Sequence, residues 1–272
     1  MIHPKKQIHN VEEMRRSVNS RNVERFLTKT SLSRTPSPIR ALVPYLSREG
    51  MISLGGGMPN VDTFPIASVE LKLKGNDGAL VLDEDETKKA LQYSPSYGLP
   101  SLVAHLKRLQ QDVHYVHFSD GHHDIIVTNG SQDGLTKAFE MLLTPDQDTL
   151  LIESPTYSGS LAFLGPLGVN LKGVSTDSGG MIPSELRRVL DNWDSENKGR
   201  RKPRVLYTIP TGSNPTGGSL SLERKNEIYD ICVQVSCSSE QAEKKHAIQE
   251  DETASEGMKS SYMGWITKGF SS

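Results

Sequence analysis

Helical and strand-like patterns of apolar residues alternate along the middle of the chain. Leu102, Leu106, Leu109 and Val113 recur at steps of four, three and four residues, which predicts an amphipathic helix that begins at Pro100. Short apolar runs between such helical patterns have the length of buried strands. The predicted strands are 124–128, 149–152, 169–174 and 205–209, and further helices are predicted from Ser131, over Ser184–Leu190 and from Ser221. This alternation is typical of an α/β protein with a mostly parallel sheet and flanking helices on both faces.

The two ends of the chain differ from its middle. Residues 1–35 are polar, with scattered apolar positions that suit a short, weakly amphipathic helix. Residues 52–59 predict a short apolar strand that enters a glycine-rich turn. Residues 236–272 are rich in Ser, Glu and Lys, and they hold too little apolar surface to offset the entropy of ordering. We therefore predict a disordered C-terminal tail and three regions, 1–50, 51–235 and 236–272.

The composition is that of a globular chain without strong electrostatic character. Hydrophobic residues make up 35% of the 272 positions and charged residues 24%, and the net charge is −2. This balance gives no electrostatic case for binding nucleic acid or an anionic membrane surface. Cys232 and Cys237 are too few for a disulfide framework. The low cysteine count favours an intracellular protein that is not secreted. No apolar run reaches the roughly 18 residues of a membrane span, so we expect a soluble protein.

The charges of the N-terminal segment leave two interpretations open. Basic residues such as Lys5 and Arg15 are typical of an organelle transit peptide, whereas Glu12, Glu13 and Glu24 argue against one, because such peptides are poor in acids. A solvated helical arm is the alternative. The expected location is therefore the cytoplasm or the mitochondrial matrix.

Three predicted strands are each followed by a motif with binding chemistry. Ser131 and Gln132 open a helix directly after a strand, where free backbone N–H groups and the helix dipole favour an anion. Tyr157 follows the next strand, and its ring can lie on a flat aromatic ligand. Asn214 stands in a tight turn rich in Pro and Gly, which fixes the backbone and leaves the amide side chain available to a ligand.

Each of these motifs also has an ordinary structural role, as a helix cap, as loop packing or as a turn stabiliser. Their combination is more informative than any one of them. Ligands of parallel α/β sheets bind beyond the carboxyl ends of the strands. An anion site, an aromatic face and an amide at such strand ends together favour a planar, phosphorylated cofactor.

The same motifs resemble those of the class I/II (fold type I) pyridoxal-phosphate-dependent aminotransferases. Pro-Ser-Pro-Ile-Arg at 36–40 is similar to the kynurenine/alpha-aminoadipate aminotransferase branch of that family. The resemblance covers about residues 25–233. It further rests on Ile-Ser-Leu-Gly-Gly-Gly-Met-Pro-Asn at 52–60, Leu-Gln-Tyr-Ser-Pro-Ser-Tyr-Gly at 91–98, Thr-Asn-Gly-Ser-Gln-Asp-Gly at 128–134, Ser-Pro-Thr-Tyr-Ser-Gly at 154–159 and Pro-Thr-Gly-Ser-Asn-Pro-Thr-Gly at 210–217.

The resemblance implies a large, PLP-binding domain and specific roles for the residues after the strands. Ser131 and Gln132 would hold the phosphate of pyridoxal 5′-phosphate (PLP). Tyr157 would stack on the pyridine ring, and Asn214 would hydrogen-bond the phenolic oxygen of that ring.

Further implied roles concern a second subunit and the substrate. Tyr93 would reach the cofactor phosphate of the neighbouring subunit in a homodimer, and Arg40 and Gly57 would line the amino-acid pocket. The implied reaction moves an amino group from an aromatic or dicarboxylic amino acid, of the kynurenine or 2-aminoadipate type, to a 2-oxo acid.

The later motifs of the family have no counterpart in this sequence. An aminotransferase needs a lysine that forms a Schiff base with the cofactor, and in the family this lysine lies beyond the helix predicted from Ser221. Lys268 is the only late lysine with apolar neighbours, and its surroundings do not resemble the family's motif. We therefore expect a C-terminally truncated member with a partial large domain, an incomplete sheet, no Schiff-base lysine and little activity of its own.

Other functions are weighed against this one. An inactive subunit that pairs with a full-length aminotransferase and modulates it is the main alternative. A transcription regulator with an aminotransferase-like domain would need a basic helix-turn-helix within the first 50 residues or so, and no such pattern is present. A metal site is disfavoured, because His114, His117, His122 and His123 lack helical ligand spacing and neighbouring cysteines.

Overall fold

The computed structural model describes residues 23–35, 37–39, 42, 45, 48–52, 57–75, 78–116, 118, 123–197, 199–235 and 264–267. The chain folds into two compact units. One is formed by Met1–Arg34 together with Asn129–Ser272, and the other by Thr35–Thr128.

Strands and helices alternate over most of the described chain. The strands are β1 (Val69–Lys72), β2 (Ala79–Leu82), β3 (Thr149–Ser154), β4 (Asn170–Asp177), β5 (Gly180–Met181), β6 (Val205–Thr208) and β7 (Gly264–Thr267). The α-helices are α1 (Lys29–Leu32), α2 (Glu84–Leu91), α3 (Pro100–His114), α4 (Gly130–Leu142), α5 (Ser158–Leu167), α6 (Pro183–Asp191), α7 (Trp193–Glu196) and α8 (222–235). Short 3₁₀ turns occupy Val23–Phe26 and Val61–Thr63.

A five-stranded sheet in the order β5-β4-β3-β6-β7 forms the centre of the first unit. β3 lies parallel to both β4 and β6, and β6 lies parallel to β7, whereas β5 turns back antiparallel to β4. The four parallel strands therefore all end at the same edge of the sheet. β6 pairs with β3 rather than with β4, its predecessor among the parallel strands, so the chain reverses its direction of travel across the sheet after β4.

Helices cover both faces of this sheet. Successive strand residues point to opposite faces, so Leu151 joins one apolar cluster while Leu150 and Ile152 join the other. The first cluster includes Leu186, Val189 and Leu190 of α6 and Ile228, Ile231 and Cys232 of α8. The second includes Leu135, Phe139 and Leu142 of α4 and Leu164 of α5. The predicted mostly parallel sheet with flanking helices is confirmed.

The second unit holds an antiparallel hairpin and two helices. β1 pairs with β2 in a register that sets Val69 opposite Leu82. α2 begins with a capping box, in which Asp83 accepts from the Glu86 N–H and Glu86 accepts from the Asp83 N–H. α3 has Pro100 at its first position, where the missing N–H costs nothing, and confirms the helix predicted from the leucine spacing.

One predicted strand is absent, which is a correction to the sequence analysis. Residues 124–128 belong to no strand. The Asp124 carboxylate accepts from the N–H of Ile125, and the Val127 N–H donates to the Tyr97 carbonyl at 2.9 Å, so these backbone groups are used outside any ladder. Ile126 is 65% exposed and not buried as a strand of this composition would be.

Predictions for the chain ends fall partly outside the described residues. The weakly amphipathic helix expected in residues 1–35 appears only as the 3₁₀ turn at Val23–Phe26 and the short α1, and residues 1–22 are not described. For the strand expected over 52–59, the described residues 52 and 57–59 are in no strand. Most of the predicted disordered tail, 236–263 and 268–272, is not described, whereas Gly264–Thr267 forms β7 beside β6.

Candidate functional site

Two chain segments leave the carboxyl edge of the parallel sheet side by side. β3 ends at Ser154 and leads into α5, and β6 ends at Thr208 and leads into a tight turn over residues 210–218. Because β3 and β6 are parallel neighbours, with Ile152 opposite Tyr207, both segments start from the same edge. This edge is where parallel α/β sheets bind ligands.

The first turn of α4 carries Ser131 and Gln132, both exposed. Gly130 has a φ of 82°, a left-handed conformation that glycine adopts without strain, and it turns the chain into the helix. The backbone N–H groups of a first helical turn have no partner within the helix, and the helix dipole attracts an anion to them.

A carboxylate lies beside this helix terminus as well. Asp133 accepts from the Asn129 N–H at 3.0 Å and pairs with Lys137 one turn further on. The Lys137 ammonium is the main cause of the lowered pKa of Asp133. The Lys137 ammonium compensates the negative charge of the Asp133 carboxylate. The partial positive charge of the helix N-terminus is therefore still available to attract an anion.

Tyr157 lies at the start of α5. Its side chain is half-buried and packs against the apolar cluster that includes Phe139 of α4 and Leu164 of α5. Its ring covers Gly159 so closely that a Cβ at that position would collide with the ring carbons and the hydroxyl oxygen of Tyr157. Gln132 Nε2 donates to the Gly159 carbonyl at 3.4 Å, which joins the first turns of α4 and α5. The predicted phosphate-binding and stacking residues are thus neighbours.

Hydrogen bonds within the turn fix the backbone around Asn214. The Ser213 N–H donates to the Gly218 carbonyl at 2.7 Å, and the Gly217 N–H donates back to the Ser213 carbonyl. The Gly212 N–H donates to Ser219 Oγ at 2.9 Å. Ser213 is buried and Asn214 is exposed.

Glu153 is the functional candidate that sequence reasoning missed. It is 1% exposed. Its Oε1 accepts from the Thr208 hydroxyl at 2.8 Å, and its Oε2 accepts from the Ile209 N–H at 3.2 Å and from the Ser213 hydroxyl at 3.3 Å. Burial raises the pKa of the Glu153 carboxyl, and these hydrogen bonds oppose the rise. The sequence did contain a signal for this residue, because Glu153 directly follows the apolar run of a predicted buried strand.

Of three further predicted site residues, two are in the second unit and one is not described. Tyr93 is in the second unit, two residues after the end of α2, and is 70% exposed. Gly57, in the same unit, has a φ of 58°. Arg40 lies outside the described residues.

Two described lysines lie near segments of the site. Lys225 Nζ lies 3.4 Å from the hydroxyl of Thr211, at the near end of the Asn214 turn. Lys137 is paired with Asp133 at the start of α4. Lys268 lies outside the described residues.

A separate cavity lies at the opposite end of β3. It has a volume of about 540 Å³, and its walls include Leu27, Arg34, Leu143, Arg201 and Arg204. It shares no lining residue with the Ser131, Tyr157 and Asn214 cluster.

The described residues contain neither a candidate metal site nor a membrane-spanning helix. No group of three or more His, Cys, Asp or Glu side chains within them could hold a metal ion, and His117 and His122 are not described. No described helix has the length and apolar content needed to cross a bilayer.

The groups of the Ser131, Tyr157 and Asn214 cluster are chemically suited to bind a planar, phosphorylated ring. A helix terminus and a hydroxyl suit a phosphate, a tyrosine ring suits an aromatic face, and an amide suits a ring oxygen. Residues 49–237 match the family model for aminotransferase class I and II. The chain belongs to this family. The matched range contains the whole cluster, and the predicted family is confirmed.

Relatives of known identity and structure agree with this family. The mitochondrial kynurenine/alpha-aminoadipate aminotransferase of Mus musculus is 44% identical over 220 residues, which cover 77% of this chain and 51% of that protein. The aminotransferase Aro8 of Candida albicans superposes with a TM-score of 0.70 at 29% identity, over 79% of this chain and 48% of the other. This aminotransferase chain thus spans about half the length of the relatives it matches.

A third relative was solved with ligands. The kynurenine aminotransferase of Pyrococcus horikoshii, in complex with PMP, KYN and KYA, superposes with a TM-score of 0.50 at 26% identity. The match covers 79% of this chain and 50% of that one.

Proposed function

We propose that this chain provides the cofactor-binding half of a PLP-dependent aminotransferase that acts on amino acids of the kynurenine or 2-aminoadipate type. The reaction is the transfer of the amino group to a 2-oxo acid. The family supports the reaction class, and the activity named for the Mus musculus relative supports the type of amino donor. The PMP held by the Pyrococcus horikoshii relative supports the cofactor, because PMP is the aminated form of PLP.

One observation carries the proposal for this chain. Gln132 is hydrogen-bonded to Gly159, which lies under the Tyr157 ring, and Ser213 is hydrogen-bonded to Glu153 at the end of β3. These contacts tie three segments that are distant in sequence to one edge of the sheet. A planar, phosphorylated ring requires such a combination of phosphate, face and oxygen contacts.

Each residue of the cluster has a separate task in binding. Ser131 donates its hydroxyl to a phosphate oxygen, and Gln132 completes the phosphate site beside the backbone N–H groups of α4. Tyr157 covers one face of the ring and keeps water from it. The Asn214 amide donates to the phenolic oxygen and so fixes the rotation of the ring in its plane. When bound, PLP supplies the electron sink that aminotransferase chemistry requires.

Two further tasks concern groups outside the cluster. Arg40 and Gly57 line the amino-acid pocket, where an Arg guanidinium is a natural partner for a carboxylate. Tyr93 acts on the neighbouring subunit of a homodimer, and its 70% exposure leaves the ring available for such a contact.

A ligand titration tests the phosphate site. PLP is added to the purified chain and its affinity is measured by calorimetry, with pyridoxal as the ligand that lacks the phosphate. We expect pyridoxal to bind roughly tenfold or more weakly, because charge-assisted hydrogen bonds to the phosphate are lost. Borohydride reduction of the complex followed by peptide mapping should show only substoichiometric, scattered labelling of exposed lysines and no single lysine labelled in full, since the sequence shows no lysine in the family's motif.

Matched serine variants make this test specific. Ser131→Ala should weaken PLP but not pyridoxal, whereas Ser184→Ala should change neither affinity. Both serines are exposed and lie in the first turn of a helix, so they differ only in their place relative to the cluster. Failure of the wild type to bind PLP saturably would overturn the proposed function. Equal affinities of the two variants for PLP would overturn the role of Ser131.

A second candidate function is that of a partner subunit which binds a longer aminotransferase and changes its activity. Its support is one face of the β1–β2 hairpin, where Leu71 and Leu80 are paired across the strands and are 47% and 54% exposed. Exposed apolar side chains clustered in this way are typical of interaction surfaces. Co-expression with a longer relative, followed by size-exclusion chromatography and an aminotransferase assay, tests it: separate elution with unchanged activity would contradict this candidate.

A further inference from the structure

Glu153 is a buried carboxylate to which the proposed function assigns no role. It is the fifth residue of β3 and stands opposite Val174 in the neighbouring strand β4. Its side chain reaches the other neighbour, the end of β6. A carboxylate loses much of its hydration on burial, so this position is costly unless donors replace the water.

Three donors take that place, and they come from one short stretch of chain. Thr208 ends β6, Ile209 follows it, and Ser213 lies in the turn that carries Asn214. Within the described part of the chain, Glu153 forms no ion pair, so hydrogen bonds alone compensate its burial. The Glu153 carboxylate therefore links the end of β6 to the turn that carries Asn214.

The bridge determines where Asn214 can lie. Ser213 is held on its side chain by Glu153 and on its backbone by Gly218 and Gly217. Asn214 is the next residue along the chain, so its Cα position follows from that of Ser213. Glu153 also precedes Tyr157 by four residues, at the end of the strand that leads into α5.

We propose that Glu153 is a positioning residue for the cofactor site: its carboxylate holds Ser213, and through it Asn214, at a fixed place relative to the strand end that carries Tyr157. This inference rests on the proposed function, since Asn214 is taken to meet the phenolic oxygen of PLP. Glu153 itself touches no part of the ligand and acts only through the turn.

The first test needs no ligand. Hydrogen–deuterium exchange of the chain measures how tightly residues 210–218 are held. In Glu153→Gln, an NH₂ group that only donates replaces one of the two carboxylate oxygens, so either the Thr208 hydroxyl or the Ile209 N–H together with the Ser213 hydroxyl loses its acceptor. Ser213→Ala removes one donor and leaves the other two contacts in place. We expect exchange in this turn to rise roughly fivefold or more in both variants, the equivalent of one lost hydrogen bond.

Asp148 provides the matched control at the other end of the same strand. It is 2% exposed, it directly precedes β3, and it accepts from the Thr144 N–H at 2.8 Å and from Arg204 at 2.9 Å. Asp148→Asn therefore damages a buried carboxylate of the same unit without touching the turn. Exchange of residues 210–218 should stay at the wild-type level in this variant. Unchanged exchange in Glu153→Gln and Ser213→Ala would overturn the proposal.

The second test uses ligand discrimination, which a loss of general stability does not alter. PLP is compared with its 3-deoxy analogue, which lacks the phenolic oxygen. The wild type should prefer PLP by roughly fivefold, Asn214→Ala should lose that preference, and Glu153→Gln and Ser213→Ala should reduce it at least by half. Asp148→Asn should keep it.

The outcomes separate the two proposals. No preference for PLP in the wild type would contradict the role of Asn214 and hence the proposed function on which this inference rests. A wild-type preference that Glu153→Gln and Ser213→Ala both retain in full would leave the proposed function standing and overturn the positioning role of Glu153.

Discussion

Arg224 binds the carboxylate of Asp177 through both of its terminal nitrogens. Nη1 donates to Oδ1 at 2.6 Å and Nη2 donates to Oδ2 at 2.7 Å, which joins the end of β4 to α8. Arg224 Nη1 also lies 3.3 Å from the Gly180 carbonyl. The guanidinium, followed by the Gly179 N–H, lowers the pKa of Asp177 to about 2.

The first prediction concerns the pH dependence of stability. Because the folded pKa of Asp177 is lower than the unfolded one, the pair stabilises the fold above about pH 4 and loses its contribution as the pH falls toward about 2. Thermal unfolding followed by circular dichroism should give a lower Tm for Arg224→Ala than for the wild type near neutral pH. That difference should shrink on acidification through this window.

Arg187→Ala is the matched control for the Asp177 pair. Arg187 donates to the neutral amide of Gln234 at 3.0 Å and so also connects to α8. The Tm difference between Arg187→Ala and the wild type should not shrink over the pH range in which the Arg224→Ala difference does. An Arg224→Ala difference that persists unchanged to about pH 2 would contradict the assigned pair.

The second prediction uses the two glycines of α5. Gly159→Ala drives the Tyr157 ring from its place, because the new Cβ would occupy the space of the ring. PLP affinity, measured by titration, should fall roughly three- to tenfold, the value of one aromatic contact. Gly165 has open space at its Cβ position, so Gly165→Ala should leave the affinity unchanged and raise stability by about 0.5–1 kcal/mol. Equal PLP affinities would show that the Tyr157 ring does not contact the cofactor.

The third prediction concerns the core between α4 and the sheet. Phe139 is fully buried, packs edge-on against Tyr207 at 5.6 Å between ring centroids, and stacks with Phe163 at 6.3 Å. Phe139→Ala should lower the free energy of unfolding by about 3–5 kcal/mol in urea denaturation. Leu222→Ala, at a side chain that is 69% exposed, should change it by less than about 0.5 kcal/mol. Similar effects of the two substitutions would contradict the packing of α4.

The fourth prediction concerns the reactivity of Cys232. The thiol lies on α8, buried in the apolar cluster that this helix shares with α6, and loss of solvation raises its pKa to about 12. In a Cys237→Ser background, its reaction with a thiol reagent at pH 8 should be roughly a hundredfold or more slower in the folded chain than in denaturant. A fast native reaction would show that α8 leaves the sheet readily. The Cys232→Ser variant, which keeps Cys237, shows the rate of the other thiol.

Local patterns predicted most elements of the first unit. The apolar run before Glu153 became β3, and the helix predicted over 184–190 became α6. An equally apolar run at 124–128 formed no strand, because its backbone groups are used elsewhere, as with Val127 and the Tyr97 carbonyl. Apolar character alone therefore does not decide whether a segment finds a partner strand.

Two other signals were present in the sequence and were missed. Asp83 and Glu86 have the spacing of a capping box, and they begin α2. Glu153 is a carboxylate at a buried strand position, which is unusual enough to indicate a dedicated set of donors.

The sequence by itself determined the family, the periodicity of the strands and helices, and the turn chemistry around Gly130 and Asn214. These features depend on neighbours within a few residues, so they can be recognised without a fold. The tertiary structure alone decided which distant groups meet. Gln132 and Gly159 are 27 residues apart, Asp177 and Arg224 are 47 apart, and Glu153 and Ser213 are 60 apart. The Glu153–Ser213 contact depends on the placement of β6 next to β3, and strand order of this kind is set by the packing of the whole sheet rather than by any local pattern.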